Sequence, residues 1–187
     1  MSKINVAVFA SGTGSNFEAI MEAGDLSCNI VLLICDNPGA TVIQKAEKYQ
    51  VPTFVFRSKD YVSKEEYEKV LVEKLKEANI SWVFLAGYMR IIGPTLLEAY
   101  EGKIINIHPS LLPDFPGKDA IGQAYHARVK TTGVTVHYVD AGIDTGPIIA
   151  QEEIEVKEND TLESLEEKIH HVEHQLYPRV MKDIVKK

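Results

Sequence analysis

Five short apolar runs separated by amphipathic stretches leave this chain few architectures. Residues 4–10, 30–35, 53–56, 82–86 and 104–108 are rich in Val, Ile, Phe and Trp, and each is too short for a buried helix. Between them, 16–23, 40–49, 64–78 and 95–99 carry apolar residues at helical spacing. The third shows this most clearly, with Tyr67, Val70, Leu71, Leu75 and Ala78. Strands that alternate with helices build βαβ units, so the reading is an α/β chain around a mostly parallel central sheet.

After Pro113 the rhythm changes. A Pro- and Gly-rich loop (Pro113, Phe115, Pro116, Gly117) leads to a predicted helix over 120–129, then to strand-like runs at 133–139 and 147–154. The second half is therefore expected to add antiparallel strands. A final helix is predicted over 161–185, capped by Asp160 or Thr161 with Glu163 or Ser164 just inside, and Pro178 should kink or divide it. Repeats and long linkers are missing from the sequence, which argues for a single domain over 1–187.

Composition narrows the partners. With 187 residues, 45% hydrophobic and 25% charged, the chain is long enough for one sizeable core. Its net charge of −7 speaks against nonspecific binding to nucleic acid or an anionic membrane and favours small-molecule substrates. Cys28 and Cys35 form neither a disulfide framework nor a zinc knuckle, as expected of a cytoplasmic protein. The apolar stretch after Lys3 has no cleavage pattern, so the chain is expected to start at its own Met, and no run approaches the roughly 20 residues of a membrane span.

Three constellations can carry chemistry. Ser11-Gly12-Thr13-Gly14-Ser15-Asn16 joins the first strand to a helix, where glycines admit close approach and free N–H groups face an anion. A phosphate cradle is the preferred reading. A tight turn capped by Ser15 is a plainer one, and a dinucleotide site with Asp36 on a ribose is weaker, because Phe17 stands near where a third Gly belongs. Asn106 and His108 share one face at the end of a strand that Pro109 terminates. There an amide can stabilise a developing oxyanion and an imidazole can move a proton. Asp144 lies in the turn-like stretch 139–147, and would favour an imidazolium if that loop folds back beside His108. His170 and His174 have metal-pair spacing but no Glu arranged as a metalloprotease requires, so no metal is assigned. The charged segment 59–76 reads as a solvated helix face.

These motifs, together with Leu85-Ala86-Gly87-Tyr88-Met89-Arg90, Asn106-Ile107-His108-Pro109-Ser110-Leu111-Leu112-Pro113, Gly133-Val134-Thr135-Val136-His137 and Asp144-Thr145-Gly146-Pro147, closely resemble the folate-dependent phosphoribosylglycinamide formyltransferases of purine synthesis. The resemblance runs from residue 4 into the last helix. It implies a three-layer Rossmann-like formyltransferase fold and transfer of a formyl group from 10-formyltetrahydrofolate, the co-substrate, to the amine of 5-phosphoribosylglycinamide on the route to IMP. Asn106 and protonated His108 would stabilise a tetrahedral oxyanion, and Asp144 would keep His108 charged. Gly12, Thr13, Gly14, Ser15, Asn16 and Phe17 inherit the phosphate, and Glu173 the ribose. Met89, Arg90, Ile91 and Ile92 inherit the pteridine pocket with Asn106, Val139, Asp140 and Asp144. His137 matches a position near the site and is assigned no proton. Where some members meet folate with an Arg, this chain has Lys64, a point charge without a bidentate fork.

The Asn-His-Asp core is shared with methionyl-tRNA formyltransferases and formyltetrahydrofolate hydrolases. Those carry additional domains that a chain of this length is not expected to hold, and the phosphate loop favours the phosphoribosyl acceptor. A nonenzymatic nucleotide-sensing module is the alternative from another class, and a homodimer is left open.

Overall fold

The computed structural model of the chain describes residues 2–186. Its strands are β1 (Ile4–Ala10), β2 (Cys28–Cys35), β3 (Thr53–Val55), β4 (Ile80–Leu85), β5 (Ile104–His108), β6 (Thr131–Tyr138) and β7 (Ile148–Glu155). The α-helices are α1 (Ser15–Glu22), α2 (Val42–Lys48), α3 (Lys64–Glu77), α4 (Pro94–Ala99), α5 (Ala120–His126) and α6 (Leu162–Val185). The strands form one sheet in the order β3-β2-β1-β4-β5-β6-β7, in which β1 to β5 run parallel and β6 and β7 pair antiparallel. This is the mostly parallel α/β sheet with an antiparallel C-terminal half, as the sequence predicts.

The period of two along each strand makes the layers. Val6, Val8 and Ala10 face a core built with Phe17, Ile20, Val42, Leu165, Tyr177 and Met181, so α1, α2 and α6 cover that side. Ala7 and Phe9 face Tyr67, Leu71, Leu75 and Leu96, so α3 and α4 cover the other. Between β1 and β4 the strand order reverses direction. Successive connections diverge there and leave a crevice at the carboxyl ends of the strands, the usual ligand position in such sheets.

Several boundaries move against the sequence reading. β2 and β4 begin two residues earlier than predicted, and α5 ends at His126 instead of 129. The N-cap of α1 is Gly14 at φ 75° and not Ser15, which is the first helical residue. Glycine is needed there on two grounds. The left-handed backbone disfavours other residues, and a Cβ would lie 2.4 Å from Val42 Cγ2. Pro178 does not divide the last helix, because Tyr177, Val180, Met181 and Ile184 bury the face on both sides of it. Thr161 and Ser164 form a reciprocal capping box at its start.

Two polar ties cross the layers. The Tyr177 hydroxyl, wholly buried, shares its proton between Leu85 O at 2.7 Å and Ile105 O at 3.2 Å, joining α6 to β4 and β5. Thr135 Oγ1 on β6 donates to Ser110 O at 2.7 Å and accepts from Leu112 N at 3.1 Å and Gln151 Nε2 at 2.9 Å. The second tie pins the proline-rich turn after β5 against β6 and β7. Cys28 and Cys35 are buried free thiols.

Candidate active site

One cavity of about 730 Å³ opens at the crevice between β1 and β4. It is lined by Gly12 to Asn16, Leu85 to Ile92, Asn106, His108, His137, Val139, Asp140, Asp144 and Glu173, with further residues from the 117–121 and 142–145 segments. Every site residue expected from sequence reaches it except Phe17 and Lys64. The Phe17 ring lies in the core with no exposed surface, so this residue can offer a ligand only its backbone N–H. Lys64 Nζ instead donates to Ile91 O at 2.7 Å.

At one end, α1 points its N-terminus into the cavity. The first helical hydrogen bond is Glu18 N to Gly14 O at 2.8 Å, so the N–H groups of Ser15, Asn16 and Phe17 have no partner within the helix and suit an anion. Glu173, 6% exposed, comes from α6 beside this loop and accepts from Asn16 Nδ2 at 3.4 Å. Burial pushes its carboxyl up to about 7, against the opposing pull of Asn16. It is therefore poised to gain or lose a proton near neutrality.

Asp36, the candidate ribose ligand of the dinucleotide reading, is engaged elsewhere. Its Oδ2 lies 2.8 Å from Arg90 Nε, on the segment that forms the opposite wall. The same segment is tied by Met89 N donating to Ser11 Oγ at 2.9 Å.

Between these ends stands the chemical centre. Ile105 and Ile107 of β5 face the core shared with α6, so Asn106 and His108 point to the other face of the sheet. Antiparallel pairing sets His137 of β6 opposite Asn106. Asp144, in the left-handed region at φ 55°, folds back from the loop after β6: its Oδ2 lies 3.5 Å from His108 Nδ1 and its Oδ1 lies 3.6 Å from His137 Nε2. Gly117 N donates to Asp144 Oδ2 at 2.8 Å. Burial works to raise the Asp144 carboxyl, but the His137 contact, the Gly117 N–H and the pull of His108 outweigh it and hold it below its ordinary value.

Backbone carbonyls assign the ring protons. His108 Nε2 lies 2.9 Å from Phe115 O and His137 Nδ1 lies 2.8 Å from Tyr138 O; a carbonyl only accepts, so each of those nitrogens carries hydrogen. His108 Nδ1 is left facing the ionised Asp144, and His137 Nε2 is within 3.4 Å of Asn106 Nδ2. The second N–H of the Asn106 amide can then serve a ligand.

Glu166 and His170 also line the cavity, which the sequence reading missed. They precede Glu173 by seven and three residues on α6, the spacing of one helix face, so the signal existed once Glu173 was placed. The His170 and His174 rings stack at 6.3 Å, and no metal-binding group of three or more His, Cys, Asp or Glu occurs among the described residues. Among those residues no helix is long and apolar enough to cross a membrane.

Comparison with known proteins bears on the family and the fold. The formyl transferase family matches residues 4–181. A phosphoribosylglycinamide formyltransferase of Bacillus subtilis is 55% identical over 96% of this chain and 93% of its own length. The trifunctional purine biosynthetic protein adenosine-3 of Drosophila melanogaster is 39% identical over 96% of this chain, which spans 14% of that longer protein. The crystal structure of glycinamide ribonucleotide transformylase 1 from Geobacillus kaustophilus superimposes with a TM-score of 0.96 at 58% identity, covering 98% of this chain and 100% of the other. The chain belongs to the formyl transferase family and, within it, to the phosphoribosylglycinamide formyltransferases.

Proposed function

We propose that this chain, acting as one catalytic domain, transfers the formyl group of 10-formyltetrahydrofolate to the amine of 5-phosphoribosylglycinamide in cytoplasmic de novo purine synthesis. One observation carries the reading: a helix N-terminus with unpartnered N–H groups and an Asn-His-Asp centre open into the same cavity. A hydrolase needs the centre but has no use for the cradle.

The fit of the co-substrate rests on the wall opposite the cradle, where Met89 and Ile91 expose apolar surface and Ile92 is buried behind them. When bound, the folate supplies an activated formyl carbon. The residues of the chain do the rest. Backbone N–H groups from Gly12 to Phe17 hold the phosphate, and ionised Glu173 accepts from the ribose hydroxyls, which aims the glycinamide amine inward. Asn106 donates its free amide N–H to the formyl oxygen as charge develops there, and a donor of this kind supplies ~10² to 10³ in rate. The charged carboxylate of Asp144 stabilises positive charge on His108, whose Nε2–H exchanges the Phe115 carbonyl for the reacting oxygen. After the amine nitrogen has bonded to the formyl carbon, His108 gives its Nε2 proton to the folate nitrogen as that nitrogen's bond to the formyl carbon breaks, and takes a proton back from the amine nitrogen.

The test is incubation with 10-formyltetrahydrofolate, with and without phosphoribosylglycinamide, following tetrahydrofolate and formylated product. Release that depends on the acceptor is expected. Release at the same rate without it would identify a hydrolase and sink the assignment.

A further inference from the structure

The wall at 89–93 contains no helix or strand, yet side chains from three separate parts of the chain hold it. Ser11 follows β1 and takes Met89 N; Asp36 follows β2 and meets Arg90; α3 supplies both remaining ties. Lys64, its first residue, donates to Ile91 O at 2.7 Å. Glu68, one turn later, accepts from Gly93 N at 2.7 Å through Oε2 and from Leu96 N at 3.2 Å through Oε1.

The Glu68 contacts are those of a capping box built from outside. Gly93 is the N-cap of α4 and Leu96 its third helical residue. An ordinary box would use a side-chain oxygen at each of these positions, and neither residue has one. A single carboxylate on another helix replaces both. It is 2% exposed, and burying a carboxylate to close a helix of six residues is an expensive way to do what a Ser at position 93 would do locally. What Glu68 adds is location: it fixes where the segment ends relative to α3. Gly93 permits the approach, since a Cβ there would lie 2.7 Å from both Glu68 Oε1 and Lys64 Cδ.

We propose that Lys64 and Glu68 are positioning residues for the formyl donor, clamping the Ile91 carbonyl and the Gly93 amide so that the wall stands at the spacing a pterin ring requires. The inference rests on the proposed function. It assigns Lys64 to the backbone of Ile91 instead of to the folate tail, and it gives Glu68 a part in donor binding.

The experiment compares the parent chain with Glu68→Gln and Lys64→Met. Glu68→Gln places an amide NH₂ against one of the two backbone donors, and about a tenfold rise in KM for 10-formyltetrahydrofolate is expected, with KM for phosphoribosylglycinamide little changed. Lys64 is exposed, so Lys64→Met keeps the test readable if Glu68→Gln does not fold. For this variant, calorimetry with tetrahydrofolate and with tetrahydropteroate, which lacks the glutamate tail, should show the same several-fold weakening for both probes. Weakening confined to the glutamate-bearing probe would return Lys64 to a direct contact and overturn the clamp. Equal rises in both KM values for Glu68→Gln would mark a merely structural residue and also overturn it. A parent that binds neither probe removes the proposed function itself, whereas a parent that binds both, with variants that match it, removes only this inference.

Discussion

Two carboxylates in one cavity, Glu173 buried and Asp144 partly exposed, are driven in opposite directions by their surroundings. Asp144 gains partners that outweigh its desolvation and stays ionised, whereas Glu173, with the Asn16 amide at 3.4 Å and His170 Nε2 at 3.9 Å, is pushed up to about 7 by its burial. Asp144→Asn keeps the shape and removes the charge facing His108, so kcat should fall by ~10² or more with a changed pH profile, read in steady-state assays from pH 6 to 9. For Glu173 the sign runs the other way from most acids. Its folded value lies above its ordinary 4.5, so its contribution to stability is complete below 4.5 and is lost as pH rises through about 7. Denaturant melts of the unliganded chain should show a loss on the order of 3 kcal/mol across that window, absent in Glu173→Gln. A parent as flat as the variant would show that Glu173 is solvated.

At the scale of elements, the ends carry the information. Asp160 accepts from Lys157 N at 2.8 Å, from Ser164 Oγ at 2.8 Å and from Lys168 Nζ, which together lower its carboxyl to about 2. This depressed acid stabilises the start of α6 above its ordinary 3.8, and the contribution is lost as pH falls toward 2. Thr161→Ala removes the neighbouring cap and should lower stability by about 1 kcal/mol with the denaturant m-value unchanged. The sequence marked this start, because capping residues are local chemistry, and β1 and β5 were legible to the residue because each is a short apolar run closed by a break, Ser11-Gly12 after one and Pro109 after the other. Pro178 misled for the opposite reason. Its helix is continued by burial against the sheet, which no local pattern reports.

Across the whole molecule, what sequence could not reveal is convergence. The cradle and the Asn-His pair were visible as motifs, but the return of Asp144 to His108 depends on a loop after β6, and the engagement of Asp36 by Arg90 on the order of strands. Glu68 left no trace at all, because a buried acid on a charge-rich helix looks like a solvated one. Tyr177 shows how distant parts are kept in step. Tyr177→Phe leaves Leu85 O and Ile105 O without their shared donor, and chemical denaturation should show a loss of about 1–3 kcal/mol with the fold retained. The Thr135 hydroxyl extends the point to heredity. It has one hydrogen and two lone pairs, and all three are committed, to Ser110, Leu112 and Gln151. Valine copies its outline and would leave Ser110 O and Leu112 N without this partner at once, while Gln151 Nε2 would keep only Leu112 O, whereas serine would keep all three bonds. Of the side chains that fit at position 135, only those with a hydroxyl on Cβ, threonine and serine, keep this triple commitment, and any other residue there has to arrive with changes in the turn it pins.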